Sequence, residues 1–391
     1  MNVVTERPSP ALRVLTVVGT RPEAIKLAPV VIACLAEQQI LHSLCASGQH
    51  REMLDQVLTV FGLKPDVDLT LMRPGQDLGS LTAAAIVGIQ SSIRDFRADW
   101  VVVQGDTTTA FAGALAAFYE RVPVLHVEAG LRTGNVMSPW PEELNRRLIT
   151  TIANVHCAPT EWAAGNLVKE GVDPETILVT GNTVVDALQW VSKRPAAELA
   201  LRSALGNLAD TILSSSRRII LVTGHRRENL DGALAGICDA LKRLAERGDV
   251  EIVFPVHLNP RVTNTVHSRL GGSPRVHLLP PLDYLAFVAL LRRAHLVITD
   301  SGGIQEEAPG LGKPVLVTRD TTERPEALQA GSAILVGKDP KALAEHAQRL
   351  LDDEQAYARM ASVENPFGDG YAAGRIVQAL LTRRKSITLK P

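Results

Sequence analysis

A chain of 391 residues is too long for a single core of ordinary size and points to two domains. With 46% apolar and 21% charged residues its composition is globular, and a formal net charge of −1 argues against nucleic acid or an anionic membrane as the main partner. Four cysteines (Cys34, Cys45, Cys157, Cys238) stand apart with no paired spacing, which suits core thiols in a reducing compartment. No apolar run approaches a membrane span, and residues 1–12 carry Glu, Arg and Pro in place of a signal-type apolar stretch, so a cytoplasmic location is expected.

In order, the chain alternates strand-like and helix-like stretches. Residues 13–18 are β-rich and end at Gly19-Thr20; Pro22 is placed for a helix start, and 23–37 carry the helix. Residues 40–46 read as a second strand, with 52–61 and 79–96 helical. A strand at 100–104 ends at Gly105-Asp106 before a helix over 107–119, and another at 122–127 ends at Glu128-Ala129-Gly130. A helix over 141–152 and strands at 155–158 and 177–180 follow. Between 192 and 216 the pattern lapses into Ala, Ser, Leu and scattered charge, then restarts with strands at 219–223, 251–256, 275–279, 296–298, 314–317 and 333–336. The alternation predicts an α/β protein of two comparable parallel-sheet halves, with the ligand at the carboxyl ends of the strands. The domains are expected at 1–190 and 191–370, with a helix in 371–391 packing back on the first.

The polar residues fall on those strand ends. The first half offers Gly19-Thr20-Arg21 with Glu23 and Lys26, then Gly105-Asp106-Thr107, then His126-Val127-Glu128, then Glu142 and Arg146 one helical turn apart. The second offers Thr223-Gly224-His225-Arg226, Pro255-Val256-His257 and Thr299-Asp300-Ser301-Gly302-Gly303. A Ser-Gly-Gly turn opening a helix bares backbone N–H groups at the positive end of a dipole and can seat a phosphate. Glu307 can accept from the two hydroxyls of a ribose, and Arg319 and Arg324 can close over the anion. Together these loops suit a phosphorylated sugar.

The motifs GTRPEAIKLAP (19–29), GQHREML (48–54), QGDTTTAFAGALAAFY (104–119), HVEAGLRTGN (126–135), SPWPEELNRRL (138–148), TGNTVVDAL (180–188), TGHRREN (223–229) and TDSGGIQEEAPGLGKPVLVTRDTTERPEAL (299–328) carry a further reading. In this order they resemble the non-hydrolysing UDP-N-acetylglucosamine 2-epimerases of bacteria, over 13–380. The resemblance implies two Rossmann-like domains in the glycosyltransferase-B arrangement, an interdomain active site, and interconversion of UDP-GlcNAc and UDP-ManNAc through a glycal, without metal or nicotinamide. It implies acid–base roles for Asp106, Glu128 and Glu142, and leaving-group stabilisation by Arg21, His225 and the Ser301-Gly302-Gly303 turn. Glu307 becomes the ribose acceptor, with Lys26, Arg146, Phe287 and Arg324 as further substrate ligands. It also raises a second, activating UDP-GlcNAc site at Gln49, His50, Arg226 and His257, although Gly75 stands where the regulated members place an arginine and Arg73 would have to substitute. A homodimer feeding cell-surface polysaccharide synthesis is the expected setting.

Plainer readings compete. Asp106 can cap the next helix, Glu142 can complement its own helix dipole, His225 can be an ordinary loop residue, and His126 on a β-rich run reads as a core histidine. Asp66-Val67-Asp68 matches the acid-x-acid pattern of metal-dependent sugar transferases but is short and outside the matched motifs. Gly310-Leu311-Gly312-Lys313 lacks the rest of a P-loop, and neither HExxH nor a Cys pair marks a metal site. A hydrolysing epimerase, a glycosyltransferase, a non-catalytic nucleotide-sugar sensor and an enzyme for a diacetamido uronic acid relative are the alternative functions.

Overall fold

The structure is a computed structural model describing residues 11–383 apart from 49–50, 73–74 and 225–231. The chain forms two compact units, Met1–Ala187 with Gly370–Pro391, and Leu188–Asp369.

The first unit runs β1 (Leu12–Val18), α1 (Arg21–Ala36), β2 (Ile40–Ala46), α2 (Arg51–Val60), β3 (Val67–Asp68), α3 (Leu78–Phe96), β4 (Trp100–Gln104), α4 (Thr108–Tyr119), β5 (Val124–Val127), α5 (Glu142–Ile152), β6 (Val155–Ala158), α6 (Glu161–Lys169) and β7 (Ile177–Val179). Helix α7 (Thr183–Ser192) leads out of it. Among the described residues its strands make one parallel sheet in the order β3-β2-β1-β4-β5-β6-β7. A parallel sheet covered on both faces wants continuous apolar strands, and every residue of β4, β5 and β6 is buried. Alanines on α4 (Ala110, Ala112, Ala114, Ala116, Ala117) let that helix lie close against Val17, Val101 and Val103 in the core.

The second unit runs α8 (Pro195–Leu205), α9 (Ala209–Leu213), β8 (Arg218–Thr223), α10 (Ala233–Glu246), β9 (Val250–Pro255), α11 (Pro260–Leu270), β10 (Val276–Leu279), α12 (Tyr284–Arg293), β11 (Ala294–Thr299), α13 (Gly302–Glu307), β12 (Val315–Val317), α14 (Pro325–Ala330), β13 (Ala333–Leu335), α15 (Pro340–Asp352) and α16 (Glu354–Ala361). Its parallel sheet has the order β10-β9-β8-β11-β12-β13, around a core that includes Ile220, Ile252, Phe254, Leu296 and Leu316. The lapse in pattern at 192–216 is helical. Helix α8 buries Ala197, Leu201 and Leu205, spaced by four, and lies on α12, where its Glu198 takes Arg292 (2.5 Å) and Arg293 (3.0 Å). With no strand between α7 and β8, the alternation had nothing to mark.

Helix α17 (Ala372–Thr382) rejoins the first unit and packs on α1. Asp186 on α7 accepts the Ala373 N–H (2.9 Å) and the Ala372 N–H (3.3 Å), satisfying donors that a helix start leaves unpaired. Arg375 then donates to the Thr180 carbonyl at 3.0 Å.

Candidate active site

In doubly wound sheets a ligand crevice opens where strand order reverses. The reversal lies between β1 and β4 in the first sheet and between β8 and β11 in the second.

In the first unit, β1 delivers Gly19, where an added Cβ would lie 2.3 Å from Thr109 Oγ1 and 2.6 Å from Ser47 Oγ, so only glycine lets these loops approach. Thr20 then caps α1 with Glu23 as its capping-box partner. Glu23 Oε2 accepts from Thr20 N (2.7 Å), Thr20 Oγ1 (2.8 Å) and Gly19 N (3.1 Å), and Oε1 from Thr107 Oγ1 (2.7 Å). Burial raises this carboxyl to about 7 against those lowering hydrogen bonds. Arg21, at the first position of α1, is half-buried.

Lys26, further along α1, reaches Glu128 Oε1 at 2.5 Å, which also accepts Asn182 Nδ2 at 3.2 Å, while Gln104 Nε2 donates to Oε2. Glu128 follows β5 with φ +63°, a left-handed conformation that costs a non-glycine residue roughly 1–2 kcal/mol. After β4, Gly105 (φ +71°) turns the chain into Asp106, whose Oδ2 takes Arg146 Nε at 2.8 Å and Nη2 at 2.7 Å. Asn145 Nδ2 donates to the Asp106 carbonyl at 2.8 Å. His126 Nε2–H donates to the Gly105 carbonyl at 2.8 Å, and burial pushes its pKa down to about 3, so the ring is a neutral brace.

On α5, Glu142 is half-buried, and its Oε2 has no hydrogen-bond partner among the described residues. Arg146, one turn along, turns instead to Asp106 and to Glu143 Oε2 (3.1 Å). Glu143 is fully buried; burial raises its carboxyl, but the Thr133 and Gly134 N–H groups (3.0 and 3.2 Å) and Arg146 outweigh that and leave its pKa lowered.

The second unit's reversal is tied by Thr223 Oγ1 and Thr299 Oγ1, 2.7 Å apart across β8 and β11. Asp300 is fully buried, and Ser301 N donates to Thr299 Oγ1 at 2.9 Å. Ser301 precedes α13 without a side-chain capping bond, and α13 continues into a 3₁₀ turn at Ala308–Leu311. The Arg324 guanidinium comes within 3.5 Å of where a Cβ on Gly302 would be and is anchored by Glu306 at 2.6 Å. Glu307 is 7% exposed and accepts from Tyr284 OH at 3.0 Å. Phe287, half-buried, lies three positions beyond Tyr284 on α12, and Arg319 is buried. His257 is exposed after β9, its Nδ1 accepting the Asn259 N–H at 3.1 Å. Gln49, His50, Arg73, His225 and Arg226 lie outside the described residues.

A family model described as UDP-N-acetylglucosamine 2-epimerase matches residues 32–381. The chain belongs to that family. A UDP-N-acetylglucosamine 2-epimerase of Salmonella typhimurium is 51% identical over 96% of this chain and 100% of the relative. Among solved structures, the UDP-GlcNAc 2-epimerase of Neisseria meningitidis bound to UDP-GlcNAc superposes with TM-score 0.86 at 45% identity, covering 95% of this chain and 100% of that one. That of Methanocaldococcus jannaschii, in complex with UDP-GlcNAc and UDP, gives 0.78 at 32%, again over 95% and 100%. The α/β architecture of two Rossmann-like units is thus shared with epimerases that hold the nucleotide sugar.

Several site residues carry no role in the sequence reading: Gln104 and Asn182 on Glu128, Glu143 behind Arg146, and Tyr284 on Glu307. Gln104 and Asn182 sit inside motifs that carry the resemblance, which was their available signal; Tyr284 had none. Asp66 and Asp68 of the acid-x-acid match accept backbone N–H groups, from Leu44 on β2 at 2.7 Å and from Thr70 at 3.0 Å.

Proposed function

We propose that this chain interconverts UDP-N-acetylglucosamine and UDP-N-acetylmannosamine by eliminating and re-adding UDP, with a glycal between. The C2 hydrogen of an intact sugar is weakly acidic. Departure of UDP from C1 builds positive character beside it, so the two bond cleavages assist one another. Such chemistry needs carboxylates near C2 and donors around the departing diphosphate. The observation that carries the reading is the contrast among three carboxyls of the first unit. Asp106 and Glu128 are held by Arg146 and Lys26, whereas Glu142 keeps a buried oxygen without a partner among the described residues. We assign proton exchange at C2 to Glu142, with Asp106 and Glu128 orienting the sugar and sharing the acid–base work. Glu307 accepts the ribose hydroxyls, with Phe287 beside it. Ser301, Gly302, Gly303 and Arg324 receive the phosphates, joined by Arg21 and His225.

The test is UDP-GlcNAc in deuterated water, followed by NMR. Deuterium at C2 of both epimers, with UDP still attached, is expected. Unlabelled sugar would overturn the chemistry, and free N-acetylmannosamine with UDP would make the enzyme hydrolytic. Activity is expected to survive chelators, because helix dipoles and arginines take the role of a metal; loss in EDTA restored by magnesium would revive Asp66 and Asp68.

The reading places the enzyme in the cytoplasm, supplying N-acetylmannosamine units for surface polysaccharide; among the described residues no helix is long and apolar enough to cross a membrane. A homodimer accompanies it. Helices α4 and α5 pack together and leave Phe118, Tyr119, Leu144 and Leu148 exposed, a surface suited to a second copy, and sedimentation of Leu144→Asp as a monomer would support that use. A second UDP-GlcNAc at Gln49, His50, Arg226 and His257 remains part of the proposal. Its mark is a lag from pure UDP-ManNAc that trace UDP-GlcNAc abolishes; linear turnover from time zero would remove it.

A further inference from the structure

We infer that Glu23 is a positioning residue that, through Thr107, locks the Asp106 turn against the Arg21 turn at the strand-order reversal of the first sheet. The inference rests on the epimerase reading above but concerns a residue that contacts neither sugar nor nucleotide in it.

A capping box needs one carboxyl oxygen. Glu23 spends Oε2 on it, taking Gly19 N, Thr20 N and Thr20 Oγ1. Its other oxygen goes elsewhere, to Thr107 Oγ1 at 2.7 Å, 84 residues away at the start of a different helix. Thr107 in turn accepts the Ala110 N–H at 3.0 Å as N-cap of α4. One carboxyl therefore caps the first turn of α1 and holds the capping hydroxyl of α4, and these helices follow the adjacent strands β1 and β4. Arg21 is next to Thr20, and Asp106 is next to Thr107, so the bond fixes the spacing of a leaving-group candidate and an acid–base candidate.

The burial of the group argues that this is more than a helix cap. Glu23 is 1% exposed and has no Lys or Arg within ion-pair reach among the described residues, its partners being two N–H groups and two hydroxyls. A buried carboxyl without a cation is costly. The positive ends of two helix dipoles offset part of that cost. The chain keeps a costly group where the geometry of two reacting loops depends on it.

The experiment compares wild type, Thr107→Val, Thr107→Ser, Glu23→Asp and the double variant Glu23→Asp/Thr107→Val in the intact enzyme. It reads kcat and KM for epimerisation, calorimetric affinity for UDP, and Tm. Thr107→Val removes the hydroxyl at constant shape, and Glu23→Asp shortens the reach while keeping a capping carboxyl. Each is expected to lower kcat about 10–100-fold, the scale of a roughly 1 Å misplacement, with UDP affinity within about twofold. Thr107→Ser should return to within about twofold of wild type, and the double variant should be no worse than the poorer single one. Unchanged kcat in either single variant, equal loss in Thr107→Ser, or losses that multiply would overturn the inference. If Thr107→Val does not fold, Glu23→Asp decides alone. Wild type that fails to epimerise UDP-GlcNAc would instead strike the underlying function.

Discussion

Glu142 and Glu128 show what a residue type discloses and what it hides. That carboxylates line the ends of β4 and β5 and the start of α5 was legible, because each follows an apolar run or opens a helix. Their partners were not. Lys26 meets Glu128 across 102 residues and Arg146 meets Asp106 across 40, distances set by the order of strands in the sheet and by nothing local. The same holds for His126, whose neutral ring under the Gly105 carbonyl fits the plain reading of a core histidine. Asp106→Asn, Glu128→Gln and Glu142→Gln are each expected to keep the fold and lose ~10²–10⁴-fold in turnover, with C2 deuterium exchange lowest in Glu142→Gln. Steady-state rates of all three within a few-fold of wild type would discard the acid–base assignment. In the second unit, Glu307→Ala and Ser301→Ala should weaken UDP binding by about 1–3 kcal/mol each, while Asp106→Asn leaves it nearly intact. Calorimetry giving the reverse ranking would move the nucleotide to the other unit.

At the scale of elements, strands were the readable part. β2, β4 and β6 coincide with their apolar runs because parallel strands are largely buried on both faces and are followed by Ser47, Gly105 and Pro159. β3 is only Val67–Asp68, too short to leave a pattern, and α8, although Pro195 opens it and Gly206 ends it, lies in a helical stretch outside the strand–helix alternation. The fastening of α17 leaves no local trace, since Asp186 lies 187 residues before the Ala373 N–H it accepts. Asp186→Ala leaves the first turn of α17 without its acceptor, and a lost helix cap costs about 0.5–2 kcal/mol. Hydrogen exchange should show α17 losing protection while β8 and β9 keep theirs; equal loss in both units would mean that the bond does not act locally.

For the molecule as a whole, buried titratable groups set the response to acid. Burial pushes His126 down to about 3 and His42 and His295 to about 4, and lowers His156. A histidine with a depressed folded pKa contributes stability above its unfolded value that is lost as pH falls, at ~1.4 kcal/mol per pH unit for each extra proton the unfolded chain binds. Glu23, raised to about 7 by burial, works oppositely: its contribution is full below the unfolded value and is lost as pH rises through the folded one. Three histidines held near 3 to 4, with His156 shifted in the same direction, against one glutamate predict a net loss of stability as pH falls from about 6.5 to 4.5. The loss should be steeper in Glu23→Gln, which removes the opposing group. Urea midpoints that rise on acidification, or an unchanged slope in that variant, would contradict this balance. The path of the chain has a consequence of another kind. A ribosome completes Leu188–Asp369 before it releases the residues of α17, so the half that is begun first is finished last. A stop codon near residue 370 would therefore spare the second unit and cripple the first, and any helper that attends this protein during synthesis must wait on its opening half until the end.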